Sequence, residues 1–309
     1  MPSYLIHRFL RALVTVAGVV TLVFLLVRLI PGDPVEAILG DEASPEDRQA
    51  MREALKLDRP VAEQYLSFTK DVANGSLGFS FRKRSSSVSQ LILEVLPSTL
   101  YLAFAAFLFA WLLSIPLGVL AAAKHGKLWD SIASGFAIAG LAIPNIWLGP
   151  LLILLFGMHL RWLPLPGDDP NTLAAIVLPT ITIGSALAAI LTRQTRAAML
   201  ESLSQQYTLA ARARGLKPST VLFKHCLRNS LLPVSTVGAA QLGALLSGTV
   251  VTEKIFERPG LGSLFIEAFF ARDIPVIQGC VLIVAIFYVL VNLAIDLLYM
   301  GLDPRVRLT

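Results

Sequence analysis

Arg212, Arg214 and Lys217 surround Leu209, Ala210, Ala211 and Ala213, and Gly215 closes the run that begins at Gln206. Cations set around such small side chains cannot break bonds, but they can seat a helix in a groove of another protein. The spacing predicts a helix from about Gln205 to Arg214, ended at Gly215 because glycine accepts the positive φ such a stop requires. Pro218 then opens a second helical segment, and Val221, Leu222, Leu227 and Leu231 anchor it at a membrane surface. A stiff, anchored helix can transmit force. Charge alone favours a simpler role, in which the seven basic residues Arg193, Arg196, Arg212, Arg214, Lys217, Lys224 and Arg228 fix topology or hold anionic lipid.

The remaining reactive side chains form no constellation. Ser185 follows Gly184 and His225 lies in the basic loop, in a different environment, which argues against an intramembrane hydrolase. His7, His125, His159 and His225 are scattered over loops and ends, and Cys226 and Cys280 are the only thiols, so neither a metal site nor a disulfide is expected. No Gly-x-x-x-x-Gly-Lys-Ser/Thr stretch occurs to cradle ATP phosphates. No cofactor is expected, and energy for any transport must come from a partner.

Positioning falls to membrane helices. Of 309 residues, 55% are hydrophobic and 15% charged, too few polar groups to cover a soluble globule. The net charge of +5 is dispersed over loops without interleaved aromatics, so nucleic acid is not expected as a partner. Six runs approach the roughly 20 apolar residues a spanning helix needs: 12–30, 99–123, 132–158, 173–192, 231–252 and 275–300. The first is read as a retained span because it ends in Arg28-Leu-Ile-Pro-Gly-Asp-Pro34 with no small-residue cleavage site. Arg28 and Asp296 are the charges within the runs, and Asp296 is expected to be structural. Lys and Arg in the short loops concentrate on one side, which makes both termini cytoplasmic.

The resulting division is a cytoplasmic N-terminus at 1–11, a first span at 12–30, an extracytoplasmic helical loop at 31–98, and a five-helix core at 99–309 carrying a cytoplasmic loop at 193–230. Within the external loop, Ser44-Pro-Glu-Asp47 starts a helix expected to run to about Leu57. Val61, Tyr65, Phe68 and Val72 form one stripe of a second helix that stops before Gly75. Val88, Leu91, Ile92, Val95 and Leu96 form the apolar face of a short helix, either in the headgroup layer or packed on neighbouring spans. Prolines recur in the spans, so these helices pack on protein or line a wet path. Asn145, Thr180, Thr182, Ser185, Gln241 and Ser247 are the candidates for that path, with bonds to their own helix carbonyls as the alternative role. Two small-residue stripes, Ala239, Gly243, Ser247 and Ala240, Ala244, Gly248, suit close helix packing on the fifth span.

The order of these elements resembles one family. Ala210-Ala211, Gly215 four residues on, and Leu232-Pro233 at the far end resemble the cytoplasmic signature of ABC importer permeases. Ala211-Arg-Ala-Arg-Gly-Leu216 and His225-Cys-Leu-Arg-Asn-Ser-Leu-Leu-Pro233 resemble its dipeptide, oligopeptide and nickel branch. Arg28-Leu-Ile-Pro-Gly-Asp-Pro34, Asn74-Gly-Ser-Leu-Gly78, Ile143-Pro-Asn-Ile-Trp-Leu-Gly149, Arg258-Pro-Gly-Leu-Gly262 and Arg272-Asp-Ile-Pro-Val-Ile-Gln-Gly279 extend the likeness along the chain. This resemblance implies an all-α membrane protein of six spans with type I importer architecture, the first of two permease subunits in a bacterial inner membrane. It implies a second homologous permease in a heterodimer, two ABC ATPase subunits, and an extracytoplasmic solute-binding protein. The implied cargo is short peptides, nickel chelates, glutathione or other small solutes, moved by alternating access. Leu209 stands where the wider signature has glutamate, so docking would rest on shape, the alanines and the flanking arginines. An ion-coupled secondary transporter is the alternative; it usually carries acidic residues or histidines midway through spans, and the runs offer only Asp296.

Overall fold

The computed structural model describes residues 2–28, 33–40, 43–83, 86–170 and 172–302. In chain order its helices are α1 (Pro2–Val27), α2 (Pro34–Leu39), α3 (Pro45–Ala54), α4 (Val61–Ala73), α5 (Val88–Ala123), α6 (Leu128–Ala142), α7 (Asn145–Leu152), α8 (Val177–Ser204), α9 (Gln206–Ala213), α10 (Pro218–Thr220), α11 (Arg228–Ile255), α12 (Leu261–Phe270) and α13 (Ile274–Leu302). π-helical stretches at Ile153–His159 and Val221–Leu227 continue α7 and α10. Among the described residues four helices are long and apolar enough to cross a bilayer, and counting each of two bent pairs as one span raises the number to six. Phe9, Leu13, Val14, Phe104 and Leu112 point outward from α1 and α5 as a hydrocarbon surface requires. The chain forms two compact units, residues 1–99 with 259–293, and residues 100–258 with 294–309.

In the first unit the Ser44 cap acts where the sequence predicts it, and α2 is a further capped helix that the sequence reading did not expect. Ser44 Oγ accepts the Asp47 amide at 3.1 Å, and Asp33 caps α2 by accepting from Val35 N at 2.9 Å. The helix expected from Ser44, α3, stops at Ala54 rather than Leu57, because Lys56 turns to φ 57 and Leu57 N donates back to the Arg52 carbonyl. α4 lays Tyr65 and Phe68 on Phe24 of α1, with ring centroids 5.0 and 5.8 Å apart. Val88, Leu91 and Ile92 are buried in the same core with Val276 and Leu282. The segment from Val88 to Leu96 is therefore the first part of α5, continuous through Pro97, and packs on protein rather than lying in the headgroups. Asp273, 4% exposed, pins the 80–82 segment by accepting from Ser80 Oγ, Phe81 N and Arg82 N.

In the second unit α8 is the axis, packed by α6, α7 and α11. It reaches Ser204, so the first twelve residues of the basic loop extend the fourth span. At Gly118 of α5 an added Cβ would stand 2.5 Å from Thr195 Cβ of α8, so the two helices touch backbone to side chain. Gly118→Leu is expected to overpack this contact, costing about 1–3 kcal/mol. A lowered thermal midpoint of the purified protein checks it.

The third run is not one straight span. α6 and the α7 helix with its π-helical extension meet at 105°. Pro144 offers no N–H to the Gly140 carbonyl and drives Ile143 extended, at φ −87 and ψ 115. The fifth span bends by 54° between Leu245 and Gly248. On it Gly243 is buried while Ala240 and Ala244 face outward. The side chains of Ser247 and Asp296 lie outside the described residues.

Candidate functional site

The basic loop builds a short protruding helix on a fixed base. α9 ends as the sequence predicts: Gly215 has φ 76, its N–H reaches the Arg212 carbonyl at 2.9 Å, and Leu216 N reaches the Ala211 carbonyl at 3.3 Å. This double closure satisfies carbonyls that would otherwise hang free at the helix end. Leu209, Ala210, Arg212, Ala213, Arg214 and Lys217 are all exposed. Ala211 differs: it is buried against Val119, Ala122, Met199, Val221 and Cys226. The outward surface thus consists of Leu209, Ala210 and Ala213 edged by cations that have no ion-pair partner among the described residues. Tyr207, Leu216 and Phe223, also exposed, widen its apolar part.

Buried polar side chains hold α9 in place. Thr208 Oγ1 donates to the Ser202 carbonyl at 2.8 Å, and Ser202 Oγ donates to the Cys226 carbonyl at 3.3 Å. Ser202 Oγ bonds the Tyr207 hydroxyl. These groups tie α9 to the end of α8 and to the π-helical stretch before α11. Further along α8, Arg196 forks onto Asp130 at the start of α6, with Nε to Oδ1 at 2.6 Å and Nη2 to Oδ2 at 2.9 Å. Asp130, 6% exposed, also accepts from Gly126 N at 3.0 Å, and His125 Nδ1 lies 3.0 Å from its Oδ2. The sequence reading missed Ser202, Thr208, Asp130 and Arg196 as a support. Its one available signal was an aspartate placed just before an apolar run, in Leu128-Trp-Asp130.

The path candidates divide by their bonding. Thr182 Oγ1 donates to the Leu178 carbonyl at 2.8 Å and Ser185 Oγ to the Thr182 carbonyl at 3.1 Å, so both hydroxyls are satisfied within α8. Thr180 Oγ1 is buried without a partner among the described residues. Asn145 is half-buried and opens α7 directly after the bend, and Gln241 is half-buried on α11. Among the described residues no group of three or more His, Cys, Asp or Glu could hold a metal.

The sequence matches two family profiles end to end. Residues 114–308 match the binding-protein-dependent transport system inner membrane component, and residues 1–103 match the N-terminal part of such membrane components. The chain belongs to this permease family. It is 39% identical to the di/tripeptide transport system permease protein DppB of Pseudomonas aeruginosa over 99% of both chains. It is 38% identical to the oligopeptide transport system permease protein AppB of Bacillus subtilis over 99% of this chain and 100% of that one. The glutathione transport system permease protein GsiC of Pectobacterium atrosepticum is 37% identical over 99% of both. Among solved structures, an inward-facing MetNI methionine ABC transporter covers 69% of this chain and 96% of its own at TM-score 0.53 and 20% identity, a likeness of fold. Membership makes the chain a membrane-embedded permease component, with the type I importer architecture the family carries.

Proposed function

We propose that this chain is the first permease subunit of an ATP-driven importer of short peptides, powered by two separate ABC ATPase subunits through α9. The observation that carries the reading is the double-closed α9, whose exposed Leu209, Ala210 and Ala213 offer a small apolar face edged by Arg212, Arg214 and Lys217. Each ATPase state can move the spans only by preferring one of their arrangements, and a rigid helix fixed to α8 and α11 couples the two. Supporting the cargo class, the related permeases named for di- and tripeptides, oligopeptides and glutathione all serve solutes built from peptide bonds.

In this reading the termini and residues 193–230 are cytoplasmic, and residues 31–98 face outward with 253–273, where an extracytoplasmic solute-binding protein would deliver cargo. The exposed Ala240 and Ala244 of α11 suit close approach of a second, homologous permease. Thr180, Asn145 and Gln241 are the polar groups left to meet a solute, with Thr182 and Ser185 occupied by their helix. Vesicles holding both permeases and the binding protein but no ATPase should accumulate no labelled tripeptide. Full uptake without the ATPases, or uptake that collapses with a protonophore at undiminished ATP, overturns the reading.

A further inference from the structure

The first compact unit holds a half-open cleft of about 790 Å³ that the import reading leaves unused. It is walled by α4, the turn between α3 and α4, the segment 77–81 and the first turns of α13. Its size falls in the range of small-ligand sites, about 300–1,000 Å³.

The two ends of the cavity differ in charge. α4 lays Gln64, Ser67 and Asp71 along one wall at helical spacing. At the first end, Gln64 Oε1 accepts from Arg28 Nη2 at 2.7 Å and Gln64 Nε2 donates to the Arg59 carbonyl at 2.8 Å. Arg28, Lys56 and Arg59 gather there without an ion-pair partner among the described residues, and they outnumber the exposed Glu63. Arg52 is already neutralised by Asp33. At the other end the Asp71 carboxylate has no hydrogen bond among the described residues and lies beside Gly78, where an added Cβ would stand 3.9 Å from Oδ2. Seven helical residues separate Gln64 from Asp71, a rise of about 10 Å. An extended tripeptide spans about 10 Å.

Gln278 of α13 adds a polar amide to the wall of the cleft. It is 6% exposed and lines the cavity, and its amide has no hydrogen-bond partner among the described residues. Its amide opens onto the cleft, where water or a peptide group can pair with it.

We propose that the cavity is a receiving site for a zwitterionic peptide of two or three residues. The ligand carboxylate lies on Arg28 and Arg59, its ammonium on Asp71, and a peptide group on the Gln278 amide. The choice of a peptide rests on the import reading above; the layout of charge and length does not.

The test is titration of trialanine into the full-length permease in nanodiscs, without ATPase or binding protein, followed by mass-spectrometric mapping of a photoreactive trialanine. Binding should saturate, and the label should fall on residues 56–78 or near Gln278. N-acetylation of the peptide or Asp71→Asn should each weaken binding about tenfold, and Gln278→Ala about fivefold. The acetylated peptide should bind Asp71→Asn no worse than it binds the unaltered protein. Asp71→Asn is nearly isosteric and breaks no described bond, so its folding should be unaffected. Equal affinity for free and acetylated peptide, unchanged binding by Asp71→Asn, or label confined to other segments overturns the site. ATP-driven uptake by the unaltered assembly, measured separately, decides the import reading whichever way the titration falls.

Discussion

Ala210→Trp and Ala213→Trp are each expected to cut ATP-driven uptake about tenfold while the permease stays in the membrane at normal abundance, because a bulky ring overfills a closely fitting seat at about 1–3 kcal/mol. Both side chains face outward on α9, so the permease itself has nothing to repack. Ala211→Trp should behave differently. Ala211 is 7% exposed and lies in the core with Met199, Val221 and Cys226, so the same ring must displace that packing and lower abundance. Immunoblots of membranes beside uptake rates separate the two outcomes. If all three variants lose abundance equally, α9 is a structural element and not a docking surface.

Asp130→Ala should be the most destabilising single change. It strips the Arg196 guanidinium of both carboxylate contacts and leaves Gly126 N and His125 without their shared acceptor. Breaking a buried ion pair from one side costs about 3–5 kcal/mol. Here about 2–3 kcal/mol is expected, since a partly exposed Arg196 is reached by water. Adding Arg196→Met should recover part of the loss, because the unpaired charge is then gone. Thermal unfolding of the purified single and double variants measures this. Additive losses would show that the two residues act separately.

Features set by local spacing were legible in the sequence. Ser44 with Pro45 fixed the start of α3, Gly75 fixed the end of α4, and Gly215 fixed the end of α9, because each acts on its own neighbours. The break at Ile143–Pro144 was harder to read: the prolines were visible, but the apolar composition runs on through them, and hydropathy carries no information about direction. Asp130 and Arg196 are 66 positions apart, and only the packing of α6 on α8 brings them together. The inward turn of Ala211 depends on which face of an eight-residue helix meets Val221 and Cys226, and the alanine-rich pattern looks alike on every side. The place of Gln278 on the cleft wall had no sequence signal, since tertiary packing sets it.

Arg212→Cys, probed with a membrane-impermeant maleimide and then with a short bifunctional crosslinker, tests the central claim most directly. Cys226 and Cys280 are buried and should contribute little background. The account predicts labelling in inside-out vesicles only, and a crosslink to an ATPase subunit in the intact assembly. Labelling of Arg212→Cys from the outside of intact spheroplasts would contradict it.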